Sequence, residues 1–144
     1  MRRIVRLPDS QPIAKFPDPE IVKALSVRAP WSELIARGDK TIEVRSKRTH
    51  HRGPLLICSG VSWAALGVEL HGRIGERGVS VCLVDLVDCR PIELSDTDAA
   101  CFDVRRLKKP HFAWVLENAR RVDAVPILGQ LSMFIPPVMP RIAA

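Results

Sequence analysis

The sequence predicts an α+β domain, a compact sheet or small barrel with short helices packed at its ends or side. Three observations point there. Apolar runs of strand length recur along the chain ("TIEVRS", "PLLICSG", "VSVCLVDLVDC", "HFAWVLEN"). Helix-period stretches are few and short. The two kinds are unevenly interspersed, which argues against a regular strand–helix–strand sheet. A barrel would also remove edges that such apolar strands otherwise expose.

The elements follow in order. Residues 1–20 hold Pro8, Pro12, Pro17 and Pro19 among scattered charges and read as an extended or poorly ordered arm. The ordered domain is expected over 21–136, with 137–144 as a tail. "IVKALSVR" suits a first strand. "PWSELIARG" reads as a short helix, with Pro30 in its first turn, Trp31, Leu34 and Ile35 on one face, and Gly38 as its stop. "TIEVRS" is a strand, "KRTHHRG" a polar turn, "PLLICSG" a buried strand. "VSWAALGVELHG" is a helix running into the loop "GRIGERG". "VSVCLVDLVDC" is the strongest strand and ends before Pro91. "SDTDAACFDV" holds a short helix with Ser95 as N-cap. "HFAWVLEN" and "RRVDAVPI" form two strands joined at Asn118-Ala119, and "GQLSMFIPP" supplies the last.

A chain of 144 residues, 47% apolar and 26% charged, is that of one globular domain. No apolar run reaches the ~18 residues of a membrane span. The basic start, Met1-Arg2-Arg3-Ile4, lacks a signal peptide's apolar core. A cytoplasmic protein without membrane contact is expected. Cysteines 58, 82, 89 and 101 form no C-x-x-C pair, and reduced, mostly buried thiols are expected. Adjacent His50 and His51 would point to opposite faces of a strand, so no metal site is expected, and no cofactor.

The formal charge of +6 is unevenly spread. Between Arg37 and Arg52, six bases (Arg37, Lys40, Arg45, Lys47, Arg48, Arg52) face two acids (Asp39, Glu43). This local excess suits a polyanion; it equally suits a solvated loop. In an unbroken strand Thr41, Glu43 and Arg45 share one face, and Ile42, Val44 and Ser46 the other. Glu43 and Arg45 then stand about 7 Å apart along the chain, close enough to share a polar ligand or to pair with each other. In "VCLVDLVDC", Asp85 falls with Leu83 and Val87, and Asp88 with Val84 and Leu86. A carboxylate on such a face needs a cation or several donors. The basic motif could supply them for Asp85; Asp88 can pair locally with Arg90. Phosphate-loop, dinucleotide and nucleophile-elbow motifs are absent. Trp31, Trp63 and Trp114 suit core positions, and Trp31 is the best placed to stack on a base.

The stretch "ALSVRAPWSELIARGDKTIEVRSKRTHHRGPLLICS" resembles the opening of an ASCH domain (activating signal cointegrator homology), of the PUA-like superfamily. The matching pieces are Leu25-Ser26-Val27 before Pro30-Trp31, then Gly38, Lys40, Glu43, Arg45 and Ser46, then Thr49, Arg52, Gly53 and Pro54. Later strands extend the resemblance over about 24–134. It implies a small PUA-like β-barrel of about six strands beside a cleft that admits nucleic acid or a modified nucleoside. Lys40, Glu43 and Arg45 would line the cleft, with Pro30 and Trp31 at its wall and Lys47, Arg48 and Arg52 on its basic rim. The chain departs from the family where Ala29 replaces a glutamine before Pro-Trp. It also carries Glu43 where related amidohydrolases acting on acetylated cytidine carry threonine.

Three functions remain open at this level. The first is nucleic-acid binding, to RNA above all, through the rim and cleft. The second is hydrolysis of RNA or a modified nucleoside, with Lys40 as nucleophile, base or electrostatic clamp and Glu43 or Asp85 moving the proton. The third is a peptide-interaction module with a vestigial cleft. The oligomeric state is undetermined.

Overall fold

A computed structural model describes Val5–Arg6 and residues 22–143. Apart from Val5–Arg6, the N-terminal arm lies outside the described residues. In chain order the elements are β1 (Val5–Arg6), β2 (Lys23–Ser26), α1 (Trp31–Ala36), β3 (Ile42–Arg45), β4 (Gly53–Cys58), α2 (Ala65–His71), β5 (Ser80–Pro91), α3 (Thr97–Ala100), β6 (Phe112–Arg121) and β7 (Val138–Met139). Single 3-10 turns at Leu94–Asp96 and Val104–Arg106 flank α3.

Five strands form one curled, half-barrel sheet in the order β2-β4-β5-β6-β3, and β1 pairs with β7 in a separate parallel ribbon. With the three helices this is the small α+β, PUA-like fold. The two edge strands of the large sheet are β2 and β3. Curling brings these edges toward each other, so that an Arg45 guanidinium nitrogen on β3 lies 3.5 Å from the Ser26 carbonyl oxygen on β2. The β2 edge is partly covered by Phe134, whose N–H donates to the Ala24 carbonyl at 2.9 Å and whose carbonyl accepts from the Ala24 N–H at 2.7 Å.

The core lies within the curl. Leu25, Val27, Ile35, Leu55, Ile57, Val84, Leu86, Trp114 and Leu116 form its main cluster. Ile42, Ala113, Ala100 and Val104 join β3 and β6 to α3. Alternation on β3 is as the sequence suggests: Ile42 and Val44 pack toward α3 on one face, and Glu43 and Arg45 take the other, opposite Trp114 and Phe112.

Several expected boundaries move. Pro30 is the N-cap of α1, one position earlier than expected, and its carbonyl accepts the Leu34 N–H at 3.0 Å. The "HFAWVLEN" strand runs on to Arg121 as one strand, β6, with a left-handed φ of 56° at Asn118 and a register shift opposite it; of "RRVDAVPI" only Arg120–Arg121 belong to it, and Val122 and Pro126 make isolated bridges. Residue 95 is inside the 3-10 turn; Glu93 and Asp96 make the capping box instead. Of "GQLSMFIPP" only Phe134 bridges to the sheet, and the last strand is β7. Residues 137–143 pack onto the domain, with Met139 in the core at 2% exposure and Ile142 bridged to Val122. Cys58, Cys82 and Cys89 are free and buried, and burial pushes the Cys58 and Cys82 thiols up to about 12. Among the described residues no helix is long and apolar enough to cross a membrane.

Candidate functional site

The Lys40–Arg45 motif is positioned by the end of α1. Gly38 takes a φ of 81°, a backbone that only glycine adopts cheaply. The chain reverses there, and the N–H groups of Asp39 and Lys40 both turn back to the Leu34 carbonyl at 3.0 Å. The Lys40 side chain is thereby driven into the protein, and β3 starts two residues later.

Lys40 is 2% exposed. Its ammonium donates to the Ala100 carbonyl at 2.6 Å and faces Glu43 Oε1 at 3.9 Å. Two rings enclose it: the ammonium lies 4.8 Å from the Trp31 ring centroid and 5.6 Å from that of Phe102. Burial lowers its pKa, and the neighbouring Glu43 charge opposes that shift. A desolvated ammonium of this kind persists because it has a carboxylate, a carbonyl and two aromatic faces around it.

Glu43 is 7% exposed and presents its other oxygen, Oε2, to an Arg45 guanidinium nitrogen at 3.3 Å. Arg45 also reaches the Leu131 carbonyl at 3.4 Å and lies 5.8 Å from the Trp114 ring centroid. Every contact of this guanidinium is long, so it retains hydrogen-bonding capacity for a ligand.

Glu43 and Arg45 line a cleft of about 640 Å³ in the gap between β2 and β3. Ser26, Val27, Arg28 and Trp31 form one wall, and the segments 59–62 and 127–131 form the mouth. Three apolar side chains stand exposed at that mouth: Val61, Leu128 and Leu131, at 71, 86 and 98%. Gly129 lets its loop approach β2, since a Cβ there would fall 2.6 Å from the Ser26 hydroxyl. That hydroxyl accepts the Gln130 N–H at 3.2 Å. The mouth loops escaped the sequence reading. "ILGQL" is strand-like in composition, and nothing in it announces that Leu128 and Leu131 face outward.

The structure brings Lys40, Glu43, Arg45 and Trp31 together, but at different depths. Trp31, Glu43 and Arg45 line the cleft, whereas Lys40 stands behind Trp31 and Glu43. Pro30 is also behind the wall. It is buried against α2, where a Cβ on Gly67 would come within 2.8 Å of the Pro30 ring and 3.1 Å of Trp31. Trp31 is further buttressed by His71 in an edge arrangement and by Phe102 tilted at 48°, with centroids at 5.6 and 5.7 Å.

Asp85 is not part of this cluster. It accepts from Arg120 at 2.9 Å and from the Asn118 amide at 3.1 Å, so its cation comes from β6, not from the basic motif. Asp88 does not pair with Arg90. It caps the Cys89 N–H at 2.8 Å and faces Arg52 at 3.9 Å, while Arg90 makes a bidentate bond to Asp96 at 2.8 Å. Register shifts at Leu83/Asp85 and Leu86/Asp88 break the strict alternation that had placed these acids on apolar faces.

On the expected rim, Lys47 and Arg48 are exposed. Lys47 contributes its carbonyl to the Trp114 indole N–H at 3.0 Å, and the Arg48 guanidinium lies 5.0 Å from the Phe112 ring centroid. Arg52 is turned toward its own loop, donating to the Thr49 and His51 carbonyls at 3.1 and 2.8 Å.

Comparison with known proteins agrees with this architecture. The ASCH domain family matches residues 25–126. No curated protein sequence matches the chain. Among solved structures, the fold is similar to that of ASCH from Zymomonas mobilis, with a TM-score of 0.59 at 10% identity over 78% of this chain and 85% of that one. Two point mutants of the Zymomonas mobilis protein superpose with TM-scores of 0.54 and 0.55 at 9% and 8% identity, each over 78% of this chain and covering 88% and 86% of theirs. The family match spans most of the chain, including both the Pro30-Trp31 turn and the Lys40–Arg45 strand that build the cleft, and so this protein belongs to the ASCH domain family.

Proposed function

We propose that this ASCH domain binds RNA, taking an unpaired base into the cleft between β2 and β3. The observation that carries the reading is the wall itself. Trp31 lines it with an aromatic ring, and beside it Glu43 and Arg45 present an acceptor and donors held by long contacts. A base needs that combination: a ring to lie against, and polar groups to meet its edge. The cleft volume lies within the roughly 300–1,000 Å³ of small-ligand sites. The apolar mouth at Val61, Leu128 and Leu131 suits a planar group entering between two loops. Exposed Lys47 and Arg48 supply phosphate contacts nearby. Fluorescence anisotropy with short labelled RNA and DNA tests this. Saturable RNA binding that weakens with salt is expected; negligible binding of either at low salt overturns it and leaves a peptide ligand as the reading.

One observation favours a second reading, hydrolysis of RNA or of an acetylated cytidine. Burial lowers the Lys40 pKa, as a lysine acting on a carbonyl requires. Its placement argues for a supporting role: the ammonium is already bonded to the Ala100 carbonyl, and the side chain is 1% exposed. Asp85, the other candidate proton carrier, is held by Arg120 and Asn118 away from Glu43. Incubation of wild type and Lys40→Ala with RNA and with acetylated cytidine separates the two, since only the hydrolase reading expects turnover that depends on Lys40.

A further inference from the structure

A second basic segment, "RRLKKPH" at 105–111, lies sixty residues beyond the first and shares no motif with it. The sheet joins the two. In the antiparallel β3–β6 pair, Arg45 stands opposite Phe112. The loop that leaves β3 therefore starts where the basic segment enters β6. The loop after β3 packs on the start of β6 that the basic segment leads into, with the Arg48 guanidinium 5.0 Å from the Phe112 ring centroid and the Trp114 indole bonded to the Lys47 carbonyl at 3.0 Å. Lys47, Arg48, Lys108 and Lys109 are all exposed at this one end of the half-barrel.

Three of the acids near this end are already engaged by arginines, while Glu93, exposed beside His111, caps the 3-10 turn. Asp103 is chelated by Arg105 at 2.7–3.1 Å, Asp96 by Arg90 at 2.8 Å, and Asp88 faces Arg52. The remaining field is positive and solvent-facing. It is also continuous with the cleft. Arg45 lines the cleft, and Arg48 follows three residues later, at most about 11 Å along an extended chain.

We propose that this two-loop basic end is a phosphate track and that the ligand is an RNA strand of several nucleotides, not a free nucleoside. One base occupies the cleft at Glu43 and Arg45. The adjoining backbone passes Lys47 and Arg48 and continues to Lys108 and Lys109. The inference rests on the RNA reading of the cleft and extends it. A free nucleoside has no phosphate to reach these side chains, whereas a strand gains one contact for each phosphate neutralised.

The test compares wild type, the double variant Lys108→Gln/Lys109→Gln, the cleft variant Glu43→Gln, and a charge-matched control, Lys23→Gln/Arg73→Gln. Each is titrated by anisotropy with labelled single-stranded RNAs of about 4 and about 12 nucleotides, within the range of single-strand site sizes. On the longer RNA the Lys108/Lys109 variant is expected to bind at least about fivefold more weakly, with a log-affinity against log-salt slope shallower by about 1.4. The control is expected to lose less than about twofold, as charges outside the contact do. Equal losses in the control and the Lys108/Lys109 variant overturn the track in favour of net charge. Unchanged binding in the Lys108/Lys109 variant with loss in Glu43→Gln overturns the track and leaves the cleft reading standing. No binding of either RNA by wild type overturns both.

Discussion

Two glutamates in this domain are nearly equally buried, Glu33 at 9% and Glu43 at 7%, and each sits between two cations. Their surroundings differ in one respect. Glu33, on α1, is clamped at 3.1 and 2.5 Å by the Arg121 guanidinium and at 2.9 Å by Arg37. Both its oxygens are saturated, and the Arg121 hydrogen bonds hold its pKa below the ordinary 4.5. Glu43, on β3, has Arg45 at 3.3 Å and Lys40 at 3.9 Å, and it lines an open cleft. The first pair ties α1 to β6. The second leaves polar capacity directed at a concavity. A buried carboxylate beside cations is thus no functional sign by itself; slack in its bonding, combined with access, is what distinguishes one.

The largest expected effect tests whether Lys40 underpins the open site. Lys40→Ala empties a fully buried position and leaves Glu43 with Arg45 alone and the Ala100 carbonyl without its donor. A loss of about 3 kcal/mol in urea-unfolding free energy is expected, together with weaker RNA binding. A stability change within experimental error would show that Lys40 is not the buried support of Glu43.

Glu33→Ala strikes the saturated pair. It strands Arg121 and Arg37, and about 2 kcal/mol of stability is expected to go, less than for a fully buried pair because both arginines are half exposed. RNA affinity should stay within about twofold, since a contact on α1 that does not line the cleft carries no ligand energy. A tenfold loss in affinity would erase the contrast between the two glutamates.

Glu43→Gln reverses the pattern. The amide keeps the shape and removes one acceptor and the charge. Stability should fall by about 1 kcal/mol, less than for Lys40→Ala because the amide oxygen still faces the Lys40 ammonium, which keeps its bond to the Ala100 carbonyl, while affinity for a base in the cleft falls about tenfold. Isothermal titration and thermal melting on the same samples separate the two quantities; a stability loss matching that of Glu33→Ala would make Glu43 a structural residue.

The smallest effects are those of pH, and they carry the same sign in two separate windows. The Glu33 pKa is lower folded than unfolded, so its contribution is present above 4.5 and fades as pH falls through the depressed folded value. The Lys40 pKa is also lower folded than unfolded, so just below 10.5 the unfolded chain holds more of that proton. Stability should therefore rise with pH toward 10.5 through this group, and Lys40→Met should abolish the rise. Urea midpoints across these two windows, in wild type and each variant, measure both slopes.

Much of the site was legible in the chain. Period-2 patterning placed Glu43 and Arg45 on one face of β3, because the pleat turns alternate residues the same way wherever the strand is regular. Gly38 was legible as the stop of α1. Asp85 was not, because two register shifts in β5 change which face a residue takes, and a bulge leaves no mark in a run of valines and leucines. The left-handed Asn118 similarly let one strand pass for two. Depth was equally hidden: Lys40 and Glu43 belong to one motif, yet the reversal at Gly38 sends one behind the wall and leaves the other in it.

The amino-acid sequence by itself determined most of the elements, the α+β class and the charged strand, since periodicity, glycine and proline act within a few residues. Only the tertiary structure decided where the cleft lies, and that Glu43 has slack while Glu33 has none. It also brought 105–111 beside the loop after β3. Those outcomes depend on the curl that brings edge strands β2 and β3 together and on pairing between residues far apart in the chain. Such contacts are set by packing of the whole core, and local pattern does not encode them.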